Sequence, residues 1–360
     1  MDAIAGWNNR SLMVYQHQVQ LVSIFLRDYL PTAVPDSTKQ SPVYWVELFP
    51  FLVDSASPVV RISLSALTLV HLASLQEDNA LAHCSRHHYL QAVEQICALT
   101  DMNYSDLIRT AMILALYEVC AQPSGQDHAW SVHVQAACRL ASESRVATEM
   151  LTAQDLRRLR TIEYLHICTN VKHQPLTLRS QKSSDNRFDM LLDILYEVGR
   201  LHRYSQHQVG DNKITWDSAT HLMRVSVSLE RKLLSWFHEW QSDSQHPLCI
   251  IVPPAGPITP SGKHEEMFIP DAGNIPLLLF YWLGMAMAYA TVVRILRGTS
   301  NSQHVPAKML EERLVKATSL CHHFVNRINQ CQGGCAGKGL GTTILAAAVC
   351  QAAQKLQSQL

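Results

Sequence analysis

The cysteine and histidine residues near the C-terminus have the types that could bind a metal ion. Cys331-x3-Cys335 follows Cys321, His322 and His323, and thiolate and imidazole ligands suit a tetrahedral zinc site. The spacing, however, is not that of a structural zinc site, in which Cys-x2-Cys pairs are typical. We therefore predict reduced structural thiols here, no metal ion and no cofactor.

A second group of possible ligands lies on a helical face in the N-terminal half. His83 and His87, and likewise Cys84 and His88, are spaced at i, i+4, which places each pair on one side of a helix. Two ligands do not make a site, and no third is evident. The pattern favours a solvated histidine face.

The glycine-rich stretch 333–343 invites comparison with a phosphate-binding loop. A Walker loop needs glycine five positions before its Gly-Lys pair and Ser or Thr after the lysine, but Gln332 and Gly339 occupy those places. No Gly-x-Ser-x-Gly elbow is present either, so a hydrolase of that type has no support. We interpret the stretch as a helix end and a connection into the last helix.

Five aromatic and histidine residues within apolar helical segments are our candidates for a ligand pocket. Buried Trp, Tyr and His keep an N–H or O–H group near a polar partner, which is either a backbone carbonyl or a bound ligand. The candidates are Trp130, His133, Tyr281, Trp282 and Tyr289. Packing in the core is the competing interpretation of the same pattern.

The charge balance gives no sign of nucleic-acid binding. The 360-residue chain has 30 Lys+Arg and 30 Asp+Glu, whereas a nucleic-acid-binding domain usually shows a basic face and a high pI. The one basic cluster, Arg157, Arg158 and Arg160, is too small for a DNA-binding face. We expect it to lie on a solvated helix surface.

Hydropathy and cysteine usage predict a soluble, intracellular chain. Residues 1–31 lack the pattern of a secretory signal, so the ten cysteines are expected to be reduced. Residues 275–293 carry no charge and just reach the length that spans a bilayer. Because this run holds Tyr281, Trp282, Gly284 and Tyr289, we predict a central helix packed on all sides and no membrane contact.

Nearly every long segment repeats at helical spacing, which predicts an all-α fold, a large irregular bundle or array of roughly ten or more helices. Helices are expected within 14–29, 59–75, 82–99, 105–119, 129–142, 153–168, 187–204, 217–240, 275–293, 307–330 and 343–357. Only 248–252 resembles a strand.

Two interruptions organise the chain. Residues 242–276 hold seven of the fifteen prolines and predict a long surface connection, and residues 172–189 form a weaker polar break. We predict one domain over 1–360, with an N-terminal half at 1–171, middle helices at 187–241, the proline-rich loop at 242–276 and C-terminal helices at 277–360.

The order of motifs resembles a known family. Trp45 with Leu-Phe-Pro at 48–50 is followed by SPVVRISLSALTLVHLASL at 57–75, HHYLQAVEQI at 87–96, DLIRTAMILALYEV at 106–119 and Trp-x2-His at 130–133. SLERKLLSWFHEW, LLLFYWLGMAMAYA and the Ala-x3-Cys of 317–321 fit the C-terminal half. The chain resembles the helical regulatory domain of fungal zinc-cluster transcription factors.

The zinc cluster that forms the DNA-binding module of that family is missing from this sequence. Six cysteines in two Cys-x2-Cys-x6-Cys halves build that module, but no Cys-x2-Cys occurs here and the first cysteine is Cys84. The resemblance therefore implies the regulatory fold without direct nucleic-acid binding. Whether a DNA-binding portion exists elsewhere stays open, as do the oligomeric state and the identity of any ligand.

The resemblance implies a transcription-related regulator in the nucleus that contacts transcription factors or coactivators and responds to a small hydrophobic effector. The alternative is a cofactor-free cyclase or isomerase of secondary metabolism on the same scaffold, in the cytoplasm, with histidine or tyrosine acid–base groups. A purely structural scaffold is a third interpretation. A closed apolar cavity lined by His133 or Tyr281 would favour an enzyme or an effector site, and an exposed groove would favour a partner helix.

Overall fold

The computed structural model describes residues 2–31, 41–54, 57–98, 103–121, 129–143, 149–169, 186–210, 215–244, 247–252, 266–299, 307–335 and 337–360. These residues form an all-α irregular helical array, as predicted, with twelve α-helices. In chain order the helices are α1 Asp2–Tyr29, α2 Phe49–Val53, α3 Pro58–Gln76, α4 Asn79–Ala98, α5 Tyr104–Ala121, α6 Ala129–Glu143, α7 Ala153–Thr169, α8 Arg187–Gly210, α9 Trp216–Asp243, α10 Ile275–Gly298, α11 Ala307–Gly333 and α12 Leu340–Ser358.

Local signals account for several helix ends. Pro58 and Pro276 lie in the first turns of α3 and α10, where the missing N–H has no intrahelical partner to lose. Helix α3 ends at Gln76, and the next residue, Glu77, adopts a left-handed conformation with φ 52°. Thr215 caps α9, because its Oγ1 accepts a hydrogen bond from the backbone N–H of Ser218 at 3.2 Å.

The chain divides into two compact units, and the boundary falls within α7, between Glu163 and Tyr164. The first unit holds α1 to α6, most of α7 and a 3₁₀ helix at Pro42–Leu48. Helices α3 and α5 form its core, and in α5 every residue from Thr110 to Tyr117 is buried. The prediction of one domain over the whole chain stays a prediction.

The second unit is built around α10, which packs against α8, α9, α11 and α12. The helix is buried without interruption from Ile275 to Ala288, so the predicted central helix is confirmed. A Cβ at Gly284 would overlap Cδ2 of Leu195, a fully buried side chain of α8. The glycine therefore permits the close approach of α8 to α10.

Part of the predicted proline-rich connection is visible as a small sheet. Strands β1 Ile250–Val252 and β2 Glu266–Phe268 pair antiparallel, with Ile250 opposite Phe268. The strand expected within 248–252 is thus confirmed over three residues. Residues 245–246 and 253–265 of the connection, and 170–185 of the weaker break, lie outside the described residues.

Two helices of the described chain are long and apolar enough to cross a membrane by length and composition. Pro58–Gln76 is 56% buried over the relevant window, and Ala272–Gly298, which contains α10, is 89% buried. A mostly buried core helix passes the same test, so the feature is weak evidence for membrane contact.

Candidate functional site

His133, one of the predicted pocket residues, lies in a cluster of ionisable groups from three helices of the first unit. The Tyr89 hydroxyl of α4 is 3.0 Å from His133 Nε2 of α6, and that nitrogen is 3.8 Å from Oε1 of Glu118 on α5. The Tyr89 ring stacks on Tyr117 with its centroid 4.6 Å away. Trp130 lies one turn before His133 and is half-buried. We call Tyr89, Glu118 and His133 the Tyr–His–Glu cluster.

The environment of the Tyr–His–Glu cluster shifts the pKa values of Tyr89 and Glu118 in opposite directions. Burial, followed by the nearby carboxylate of Glu118, raises the pKa of Tyr89 well above its usual value. The nearby His133 is the largest cause of the lowered pKa of Glu118, and Tyr89 adds to it against the opposing effect of burial. The protonated hydroxyl of Tyr89 and the ionised carboxylate of Glu118 thus both lie near Nε2 of His133, an arrangement that can position a proton.

Two further predicted residues form a second cluster, within the second unit. The Tyr289 hydroxyl of α10 donates a 2.5 Å hydrogen bond to Oε1 of Glu230 on α9. Tyr289 stacks on Phe324 of α11 at 6.0 Å, and Tyr281 meets the same ring edge-on at 6.4 Å. Burial and the charge of Glu230 raise the pKa of Tyr281 to about 12. We call Tyr281, Tyr289 and Glu230 the Tyr–Glu cluster.

Aromatic rings extend the Tyr–Glu cluster along α9. Tyr281 stacks on Phe237 at 4.5 Å and on Trp236 at 6.1 Å, and Trp236 lies 5.1 Å from Trp240. Trp282 is buried on α10. Of the five predicted residues, His133 thus belongs to one cluster and Tyr281 and Tyr289 to the other, and the assignment of all five to a ligand pocket stays a prediction.

A buried histidine that the sequence analysis missed joins α8 to α10. His202 Nδ1 is 2.9 Å from the Thr291 hydroxyl, which itself donates to the Met287 carbonyl at 2.8 Å. Nε2 faces the Arg294 guanidinium at 3.3 Å and the Gln206 side-chain nitrogen at 3.2 Å. Because a guanidinium can only donate, Nε2 accepts and Nδ1 carries the proton.

The same surroundings keep His202 neutral. Burial first, and then the positive charges of Arg294 and Arg203, lower its pKa to about 3. Arg294 also donates to Oε1 of Gln359 at 3.0 Å, so the group reaches the residues after α12. This histidine is neutral and structural at neutral pH, and it destabilises the folded state as the pH falls, because the unfolded chain binds the proton more readily.

Asp155 is the most heavily hydrogen-bonded carboxylate of the described first unit. It is fully buried and accepts from Trp45 Nε1 at 3.0 Å, from Arg109 Nε at 3.1 Å and Nη2 at 3.0 Å, and from the N–H and hydroxyl of Thr152. The Thr152 hydroxyl in turn accepts from the N–H of Asp155 at 3.1 Å, which makes a capping box at the start of α7. One carboxylate thus fixes the start of α7, the 3₁₀ helix and α5 relative to one another.

The expectation that Arg157, Arg158 and Arg160 form a solvated surface is wrong. All three are buried, with 4–8% of each residue exposed. The Arg158 guanidinium lies over the Trp45 ring, 5.6 Å from its centroid. Since that indole N–H donates to Asp155, the aromatic ring separates a buried cation from a buried anion and lowers the cost of burying each.

The ten cysteines are free thiols, and only Cys84 and Cys97, both on α4, are exposed. Burial is the main cause of the raised pKa of Cys138, Cys168 and Cys321, which makes these thiols poor nucleophiles. Within the described residues, no group of three or more His, Cys, Asp or Glu side chains could hold a metal ion.

The described surface contains an open groove of about 630 Å³ between α10 and α11, which we call the α10–α11 groove. Arg297 of α10 lies at one side, and the α11 side includes Val315, which is 64% exposed. The other lining residues all come from one face of α11 and are Leu314, Thr318, Ser319, His322, His323 and Asn326. None of the five predicted pocket residues lines this groove.

The residues that the sequence did not reveal are the hydrogen-bond and ion-pair partners of the predicted residues. Tyr89, Glu118 and Glu230 are polar positions next to apolar helical stripes, and only a pairing of helices brings them to the predicted residues. A signal for His202 did exist, because the apolar α10 carries the buried Thr291 and, three residues later, the half-buried Arg294, and such polar groups require partners.

Comparisons of the chain with protein-family models, with curated proteins and with solved structures gave no match. The class of protein that the observations define is an all-α irregular helical array with two half-buried tyrosine–carboxylate clusters and an open groove.

Proposed function

We propose that this chain is a transcription-related regulatory protein that acts by contact with other proteins and has no zinc-cluster DNA-binding module in this sequence. Its partners are transcription factors or coactivators, a small hydrophobic effector modulates it, and it works in the nucleus. The proposal rests on the motifs that resemble the fungal regulatory domain and on the all-α array. Neither direct nucleic-acid binding nor membrane contact forms part of it.

The observation that carries this proposal over the enzyme is the α10–α11 groove. It is open to solvent, and it is lined by one helical face that includes Val315 and His322 rather than by His133 or Tyr281. Small-molecule sites usually enclose most of their ligand, whereas an elongated open groove suits a partner helix. The hydroxyl groups of Tyr89 and Tyr289 meanwhile have protein partners.

Affinity capture of the tagged full-length chain from its native cells tests the proposal, with mass spectrometry of both the proteins and the small molecules that are bound. We expect zinc-cluster factors or coactivators to be enriched over a capture with an unrelated helical protein carrying the same tag. Recovery of a metabolite without any transcription protein would refute the regulatory function.

The second candidate, a cofactor-free enzyme, is favoured by one observation, the Tyr–His–Glu cluster. Tyr89, Glu118 and His133 converge from three helices, and the pKa of Tyr89 is raised while that of Glu118 is lowered, which suits a general acid–base site. If this candidate is correct, a metabolite bound to the wild-type chain is retained by His133→Gln but is no longer converted. Equal conversion by both chains would exclude the cluster as its site.

A further inference from the structure

The lining of the α10–α11 groove has the chemistry of a site for an acidic helix. Arg297 supplies a positive charge, His322 and His323 supply imidazole N–H donors, and within the described residues no lining side chain is a carboxylate. Leu314 and Val315 supply apolar surface beside them. A carboxylate-bearing segment with an apolar side thus meets complementary groups of both kinds.

The dimensions favour a helical segment over a compact ligand. The lining residues of α11 extend from Leu314 to Asn326, about 18 Å along the axis at 1.5 Å per residue. Val315, Ser319, His322 and Asn326 follow at i, i+4, i+7 and i+11, so they form a stripe along a single face. A stripe of this length presents about three helical turns of contact.

The geometry points to the α10–α11 groove as the docking site for an acidic amphipathic helix of a partner protein, with its apolar side against Leu314 and Val315 and its carboxylates against Arg297 and the two histidines. This inference rests on the proposed function, because it names the chemistry of the partner that the regulatory protein contacts. Glu311 and Glu312, at the start of α11, lie outside the lining and repel the acidic residues of such a helix from that end.

The test uses the purified full-length chain and a fluorescent acidic amphipathic peptide of about 14 residues, roughly 20 Å long as a helix. Leu and Phe occupy i, i+3, i+4 and i+7 of the peptide, and Asp and Glu fill the other positions. One control peptide replaces every acid by lysine, and another scrambles the same composition. Fluorescence anisotropy is expected to show saturable binding of the acidic helix alone, with affinity that falls as salt is added.

Val315→Asp and Val132→Asp form a matched pair of variants. Their valines are 64% and 63% exposed, but Val132 lies on α6, outside the groove. Both variants should fold, because each substitution lies at the surface. We expect Val315→Asp to weaken binding about tenfold or more, which corresponds to about 1.4 kcal/mol, and Val132→Asp to leave it unchanged.

The outcomes separate this inference from the proposed function. Equal binding of the lysine peptide, no binding of the acidic peptide, or equal affinity of the two variants overturns the groove assignment. If transcription proteins are still captured from cells in that case, the proposed function stands without the groove. If the acidic peptide binds at Val315 but no transcription protein is captured, the groove stands and the proposed function fails.

Discussion

Two glycines inside helices of the second unit should respond in opposite ways to the same substitution. Replacement of an interior helical glycine by alanine stabilises a helix by about 1 kcal/mol when space permits. At Gly199 of α8, a new Cβ would lie 3.5 Å from Cγ2 of Ile167 and 3.6 Å from Cε2 of Tyr164, which is ordinary contact. At Gly284 of α10 the Cβ would overlap the buried Cδ2 of Leu195.

The expected magnitudes follow from these contacts. Gly199→Ala should raise the free energy of unfolding by about 0.5–1 kcal/mol. Gly284→Ala gains the same helix propensity but forces α8 and α10 apart, and overpacking of a dense core costs about 1–3 kcal/mol. We therefore expect Gly284→Ala to be net destabilising by about 1 kcal/mol.

Urea denaturation followed by circular dichroism at 222 nm measures both changes under the same conditions. A double-mutant cycle with Leu195→Ala isolates the overlap, because the shorter side chain leaves room for the new methyl group at Gly284. The effect of Gly284→Ala should then change sign and become stabilising. If Gly284→Ala and Gly199→Ala stabilise the wild-type background equally, the close approach of α8 to α10 is refuted.

Three other predictions concern buried polar groups. The pKa of His202 is about 3 in the folded chain against 6.5 as its ordinary value, so the unfolded chain binds more protons between these values. The free energy of unfolding should therefore fall as the pH drops through this window, by up to about 1.4 kcal/mol per pH unit. Urea denaturation at several pH values should show a weaker pH dependence for His202→Gln than for the wild-type chain. Asp155→Asn leaves the Arg109 guanidinium without its buried charge partner and should cost about 3 kcal/mol by urea denaturation, whereas no loss would contradict the ion pair. Tyr289→Phe removes the hydrogen bond to Glu230 and should cost about 1 kcal/mol, and this cost should disappear in a Glu230→Ala background, which removes the acceptor.

Periodicity predicted the helices because the apolar stripes were strong. Helix α5 and helix α10 are apolar on all sides, and both are core helices in the structure. The ends were less predictable: α1 begins at Asp2 rather than at residue 14, and α8 continues to Gly210 rather than ending at 204. Helices with long polar stretches carry a weak apolar pattern, so their ends depend on contacts that the pattern does not contain.

The candidate site was predictable only in part, because a sequence shows residues and not pairs. His133 and Tyr289 stood out as polar groups on apolar helices, but their partners Tyr89 and Glu230 lie 44 and 59 positions away along the chain. Arg158 was misinterpreted for a related reason. A charged helix resembles a solvated surface until a neighbouring aromatic ring and carboxylate show how its charge is buried.

The distribution of exposed and buried thiols allows spectroscopic probes to be attached selectively to one helix. Cys84 and Cys97 are the two exposed cysteines, and both lie on α4, about 20 Å apart along its axis at 1.5 Å per residue. Brief treatment with a methanethiosulfonate spin label should therefore modify this pair before the buried thiols. The distribution of distances between the two labels should be narrow in the folded chain. Its broadening with temperature or denaturant would show when α4 loses its helical order.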